Sequence, residues 1–190
     1  MADVLNEILS LLPPKADGVI VIAIDGRCGA GKTTLATKLA AVLDCDVVHT
    51  DDFFLPPRLR TPERYAEVGG NVDYERLYSE VISKIGKSFS YRRFSCATMS
   101  ADEELTVRKK NFLIVEGAYS LHPCLGKYYD LAIFCDVNSE LQRARILKRN
   151  GAEKLKTFEE KWIPLEDMYF SEFQIPQKCH KVIFAGKEAQ

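Results

Sequence analysis

No stretch of the sequence stays apolar for the roughly 18 residues that a membrane-crossing helix needs, so no membrane segment is expected. The opening residues, Met1 to Leu12, contain Asp3 and Glu7 but no lysine or arginine, and so lack the basic start of a secretory leader. Positive charge is not in surplus either. The 26 Lys and Arg residues face 27 Asp and Glu, for a net charge of −1, whereas a dedicated nucleic-acid binder carries a basic excess. Neither a nucleic acid nor a membrane is therefore expected as a partner. The six cysteines (Cys28, Cys45, Cys96, Cys124, Cys135 and Cys179) form no C-x-x-C pair, which leaves neither a disulfide framework nor a zinc ligand cluster. They read as reduced thiols, and the expected compartment is the cytoplasm. No internal repeat and no low-complexity segment occurs.

What is present suits one hydrophobic core. The chain has 190 residues, 46% of them apolar and 28% charged, too few for two full domains. Gly18 to Asp25, Phe112 to Val115 and Leu131 to Val137 are continuous apolar runs, as expected of strands covered on both faces of a parallel sheet. Asp46 to His49 and Val182 to Ala185 add shorter strands, and Ser88 to Phe94 and Glu103 to Val107 have weaker strand character. Helical spacing appears in Met1 to Leu12, Lys32 to Leu43, Tyr74 to Ile85, Ser139 to Lys148 and Thr157 to Phe173, the last broken near Pro164. Strands alternating with helices predict an α/β fold in which helices flank a parallel sheet. Asp51 to Gly70, with its prolines and a Gly-Gly pair, reads as a long surface excursion. The polar segment around residues 145–157 reads as a small movable lid on a single domain spanning 1–190.

Gly26-Arg27-Cys28-Gly29-Ala30-Gly31-Lys32-Thr33 fits G-x-x-x-x-G-K-[ST], directly after an apolar strand and directly before a helix. Glycines at this spacing let main-chain N–H groups wrap a polyphosphate, the lysine reaches the β- and γ-phosphates, and the hydroxyl ligates Mg²⁺. The nucleotide-binding set is thus Gly26 to Thr33 with Thr34 at the helix start, where the positive end of the helix dipole adds to the pull on phosphate. Cys28 inside the loop reads as a small residue at a variable position. Asp51, in the Asp-Asp pair after the second strand, can take the proton of an attacking hydroxyl, with Lys32 as the catalytic cation. Asp52 caps or orients. Glu116, ending an apolar strand, is expected to join Thr33 as a metal ligand. Trp162 and Tyr169 read as core residues.

Taken together, these segments resemble the uridine kinase and phosphoribulokinase family of P-loop kinases from Gly18 to about Ile183. Thr50-Asp51-Asp52-Phe53-Phe54 resembles the family's strand-end segment with the catalytic base. Val115-Glu116-Gly117 resembles its acidic Walker B position, and Phe170 to Ile183 its C-terminal segment. The resemblance implies a P-loop NTPase fold and an ATP- and Mg²⁺-dependent transfer of phosphate to a hydroxyl of a nucleoside-like small molecule. It further implies that Asp73, in Asn71-Val72-Asp73, binds substrate hydroxyls, and that Arg145 and Arg149 act as basic lid residues on the nucleotide. Tyr91 and Arg92, in Tyr91-Arg92-Arg93-Phe94, fall where the family places its base pocket. Arginines there suit an anionic acceptor at least as well as a neutral base. Acceptors such as pantothenate, nicotinamide riboside or a sugar phosphate therefore stay open, as do a nucleotide-binding regulator without chemistry and homo-oligomerisation. A GTPase switch is disfavoured because no N-K-x-D stretch occurs.

Overall fold

The computed structural model describes residues 2–14, 18–95 and 97–186; the start of the first expected helix at Met1 and the thiol of Cys96 lie outside them. Five strands form one parallel sheet in the order β2 (Asp46–His49), β5 (Phe112–Glu116), β1 (Ile20–Gly26), β6 (Leu131–Val137), β7 (Lys181–Ala185). The central strand explains the architecture. All seven residues of β1 are buried, and its side chains alternate between two cores, Val21 and Ala23 in one, Ile22 and Ile24 in the other. A strand buried on both faces has no room for polar alternation, which is why the parallel strands read as apolar runs.

Helix α1 (Ala2–Ser10) packs Ile8 fully into the second core, with Leu5, Leu9 and Leu12 against it. The P-loop helix α2 (Lys32–Leu43) covers the same face through Leu35, Ala36 and Leu39. The long excursion after β2 is not structureless. It holds short helical turns at Thr50–Phe53 and Pro57–Leu59 and a helix, α3 (Pro62–Ala66). The helix expected over Tyr74 to Ile85 is shorter: α4 (Tyr74–Glu80) ends at Val81 and a separate turn follows at Ile82–Lys84. The two weaker strands, β3 (Phe89–Ser95) and β4 (Ser100–Val107), pair only with each other, as an antiparallel hairpin outside the parallel sheet. Their half-exposed pattern fits a hairpin with one wet face.

After β6 come α5 (Ser139–Asn150) and α6 (Ala152–Thr157), so the segment expected as a lid is itself helical. A wide π-type turn, Phe158–Trp162, leads into α7 (Ile163–Glu172). Pro164 sits in the first turn of α7, where its missing N–H costs nothing, and the break in the helical run falls before it. A short helix, α8 (Ile175–Lys178), precedes β7.

Candidate active site

In a parallel sheet the carboxyl ends of the strands open on a crevice that receives ligands. Here register alone brings the acids together, since Ile24 of β1 stands opposite Glu116, and His49 of β2 opposite the same Glu116. At the end of β1, Gly26 has φ +135°, and a Cβ there would run into the backbone carbonyl of Cys135. Only glycine lets the chain turn away while lying against β6. The loop then closes on Gly31, which caps α2 without a side chain. The first-turn N–H groups of α2 are therefore left for an anion. Lys32 is buried and folds back over the loop, donating from Nζ to the carbonyls of Gly26 (2.7 Å) and Arg27 (2.9 Å).

Thr33 Oγ1 donates to Glu116 Oε1 at 3.1 Å, and His49 Nδ1 lies 2.5 Å from the same oxygen. That hydrogen bond to Glu116 raises the His49 pKa, against the effect of burial. A hydroxyl and a carboxylate, both hard oxygen donors, fit the ligand chemistry of Mg²⁺. Asp51 opens onto the crevice. Crowding by protein atoms raises its carboxyl from the ordinary value, while the charge of Lys32 opposes that rise.

A cavity of about 670 Å³ lies over this edge. It brings together Cys28, Gly29, Ala30, Gly31, Lys32, Thr33, Thr34, Asp51, Glu116, Arg145 and Arg149. Arg145 Nη1 donates to the carbonyl of Gly29 at 2.8 Å, which ties α5 to the phosphate loop. The thiol of Cys28 is pushed up to about 12, first by burial and then by the neighbouring Glu166. It is an unreactive thiol in this state.

Five expected site residues do not line the cavity. Gly26 serves the turn. Arg27 points its guanidinium at Asp136 (2.9 Å) and Asp167. Asp73 caps α4, accepting from Arg76 N at 3.0 Å and pairing with the Arg76 guanidinium at 3.7 Å. Tyr91 is buried and donates its hydroxyl to Asp52 Oδ2 at 2.8 Å. Arg92 is exposed on the hairpin, where its main chain bonds Glu80 and Arg76. The hairpin is not hydrogen-bonded into the parallel sheet, and Asp52 takes up both Tyr91 and Arg93 (3.1 Å).

Other residues line the cavity without having been read from the sequence as functional: Phe54, Asn71, Tyr119, Phe158 and Glu166. Trp162, expected in the core, lines it too, 6.4 Å from Phe54. Glu166 is buried, and its Oε2 accepts from the Cys28 N–H at 2.9 Å. Burial raises its carboxyl, and Lys32 pulls the other way. The sequence signal for Glu166 was an acid on the face that also carries Trp162, Tyr169 and Phe173, since a charge on an aromatic stripe is buried with a partner.

Tyr119 has φ +74°, a conformation that costs a bulky residue free energy. Asp25 holds it there. This fully buried carboxylate accepts from the N–H groups of Gly26 (2.7 Å), Tyr119 (3.2 Å) and Leu121 (3.0 Å) and from the Tyr169 hydroxyl (2.9 Å). The strand end, the loop after Glu116 and helix α7 thus meet at one side chain.

The sequence profile of the phosphoribulokinase / uridine kinase family matches residues 21–163, and the chain belongs to that family. It is 28% identical over 129 residues to uridine-cytidine kinase C of Dictyostelium discoideum, covering 66% of this chain and 29% of that protein. It is 25% identical over 199 residues to pantothenate kinase of Streptomyces coelicolor, covering 86% of this chain and 59% of that protein. The chain therefore spans between under a third and about three fifths of the length of these curated relatives. A solved structure titled as a possible uridine kinase from Bacillus stearothermophilus superposes with a TM-score of 0.71 at 18% identity, covering 96% of each chain.

Proposed function

We propose that this member of the phosphoribulokinase / uridine kinase family is an ATP-dependent kinase that transfers the γ-phosphate to a hydroxyl of a nucleoside-like small molecule. One observation carries the reading: a single cavity holds the phosphate loop with Lys32 and an acid from the turn after a different strand, Asp51. The amides of Gly29 and of Gly31 to Thr34, in the first turn of α2, take the triphosphate. Lys32 leaves the carbonyls of Gly26 and Arg27 for the β- and γ-oxygens, and Arg145 and Arg149 approach from the lid helix. Thr33 and Glu116 would hold Mg²⁺, which when bound spreads the charge developing on the phosphoryl group. Asp51 accepts the proton of the attacking hydroxyl, or aims that hydroxyl at phosphorus. Positioning and electrostatics supply most of the acceleration in such a reaction. Closure of residues 145–157 excludes water and favours transfer over hydrolysis.

Asp51→Asn tests the assignment. Mg-ATP binding, followed by calorimetry, stays within about threefold, and acceptor-dependent ADP release falls by about 10²–10⁴, the usual contribution of a positioned base. Transfer near the wild-type rate would remove Asp51 from that role. The competing reading, a kinase for a different acceptor, draws on the 25% identity to pantothenate kinase.

A further inference from the structure

Resting on the kinase reading, the geometry points to a second acceptor-binding carboxylate, Glu166, which together with Asp51 and Asn71 selects acceptors that donate several hydrogen bonds and carry no anionic group. The argument begins with the charges around the cavity. Its cations among the described residues are Lys32, Arg145 and Arg149. Lys32 and Arg145 are bonded to carbonyls of the phosphate loop, and Arg149 is one turn further along the same helix as Arg145. All three belong to the triphosphate side.

The arginines that the sequence offered for an anionic acceptor lie elsewhere: Arg92 is exposed on the hairpin, and Arg93 is taken by Asp52 and Glu103. Two further arginines, Arg76 and Arg64, are held by the carbonyls of Asp52 and Arg92 and by Glu75 respectively. None of the four lines the cavity. Among the described residues, an acceptor carboxylate or phosphate would meet no cation there beyond those of the triphosphate side, and would face two acids.

Asp51, Glu166 and Lys32, the lysine that reaches the terminal phosphates, line one cavity. Glu166 lies at the Cys28 N–H, one residue beyond the carbonyls that hold Lys32.

A polar wall continues from Glu166. Tyr119 and Asn71 line the cavity beside it. Asn71 is 6% exposed, lines the cavity, and its Oδ1 has no hydrogen-bond partner. A buried acceptor atom without a donor costs free energy unless a ligand satisfies it. Two carboxylates and an amide oxygen are all acceptors, so the complementary molecule presents O–H or N–H donors. Phe54 and Trp162 offer apolar faces beside them.

The test is a steady-state acceptor panel with Mg-ATP on the full chain. Uridine, cytidine and D-fructose represent uncharged donors; pantothenate, D-glycerate and ribulose 5-phosphate represent anions. The best uncharged acceptor is expected to exceed every anionic one by at least about 100-fold in kcat/KM. Glu166→Gln, which keeps an oxygen for the Cys28 N–H, should raise the acceptor KM about tenfold or more, leave the ATP KM within about threefold, and narrow the gap to the anions. The inference is overturned if an anionic acceptor wins with the wild-type protein, a comparison that needs no variant. It also fails if Glu166→Gln alters the ATP KM alone, for then the carboxylate acts on the phosphate and not on the acceptor. Binding of Mg-ATP with no transfer to any compound would instead end the kinase reading itself, and this inference with it.

Discussion

Gly117→Ala should cost the fold more than its single methyl group suggests. Gly117 follows Glu116 and has φ +130°. A Cβ there would fall well inside contact distance of Thr50 Oγ1 and 3.1 Å from Thr50 Cβ. Thr50 is 2% exposed, and its hydroxyl donates to the carbonyl of Ala118 at 2.9 Å. Three effects therefore combine. The backbone conformation is unfavourable for alanine by about 1–3 kcal/mol. Overpacking of a filled site adds about 1–3 kcal/mol. Rotating the threonine hydroxyl away leaves a buried donor and a buried carbonyl unpaired, at about 1–3 kcal/mol. The expected destabilisation is about 4 kcal/mol, a large part of the roughly 5–15 kcal/mol that holds a domain together. In urea unfolding followed by circular dichroism, that is a midpoint shift of about 2 M. The companion measurement is the same substitution in a Thr50→Ala background. With the clashing oxygen gone, the penalty of Gly117→Ala should shrink by at least about 1 kcal/mol. A loss below about 1 kcal/mol in the first experiment, or an unchanged penalty in the second, would refute the packing argument.

Asp25, raised to about 6 by burial, should titrate near that value in a carboxyl carbon NMR experiment, identified by the resonance lost in Asp25→Asn; a midpoint at or below 4 would refute it. A folded-state value above the unfolded one means that the native state holds the extra proton between pH 4 and 6. Asp25's contribution to stability thus falls as pH rises through that window, by about 3 kcal/mol for a shift from 3.8 to about 6. Cys28, pushed up to about 12, should resist iodoacetamide at pH 8 in the native protein while the exposed Cys124 is alkylated, as read by peptide mapping; equal rates would contradict the burial of Cys28. Because Asp51 is raised and must be ionised to accept a proton, the acidic limb of the transfer rate should lie above the ordinary aspartate range; a limb at or below that range would contradict it.

What could be read ahead of the structure divides by how local its cause is. The phosphate loop, α2 and the buried strands follow from periodicity and from residues adjacent in sequence. Asp51 and Glu116 follow from one further rule, that the carboxyl ends of parallel strands share an edge. The hairpin carrying Tyr91 and Arg92 obeys no such rule. Its place depends on Asp52 taking up Tyr91 and Arg93, a contact between segments about 40 residues apart that no spacing announces. Asp73 illustrates a different confusion. An aspartate directly before a helix is as good a cap as it is a ligand, and here it accepts from the Arg76 N–H. Glu166 is the converse case. Its importance comes from where α7 lies, and that depends on Asp25 receiving Tyr169 and Arg27 receiving Asp167. The two residues on either side of Gly26, Asp25 and Arg27, therefore orient the helix that carries an acid into the cavity. Reading the loop from its G-x-x-x-x-G-K-[ST] pattern captures how the nucleotide is held. What lies opposite that loop is set by side chains that reach across from the other end of the chain, and such distant contacts leave no local pattern to read.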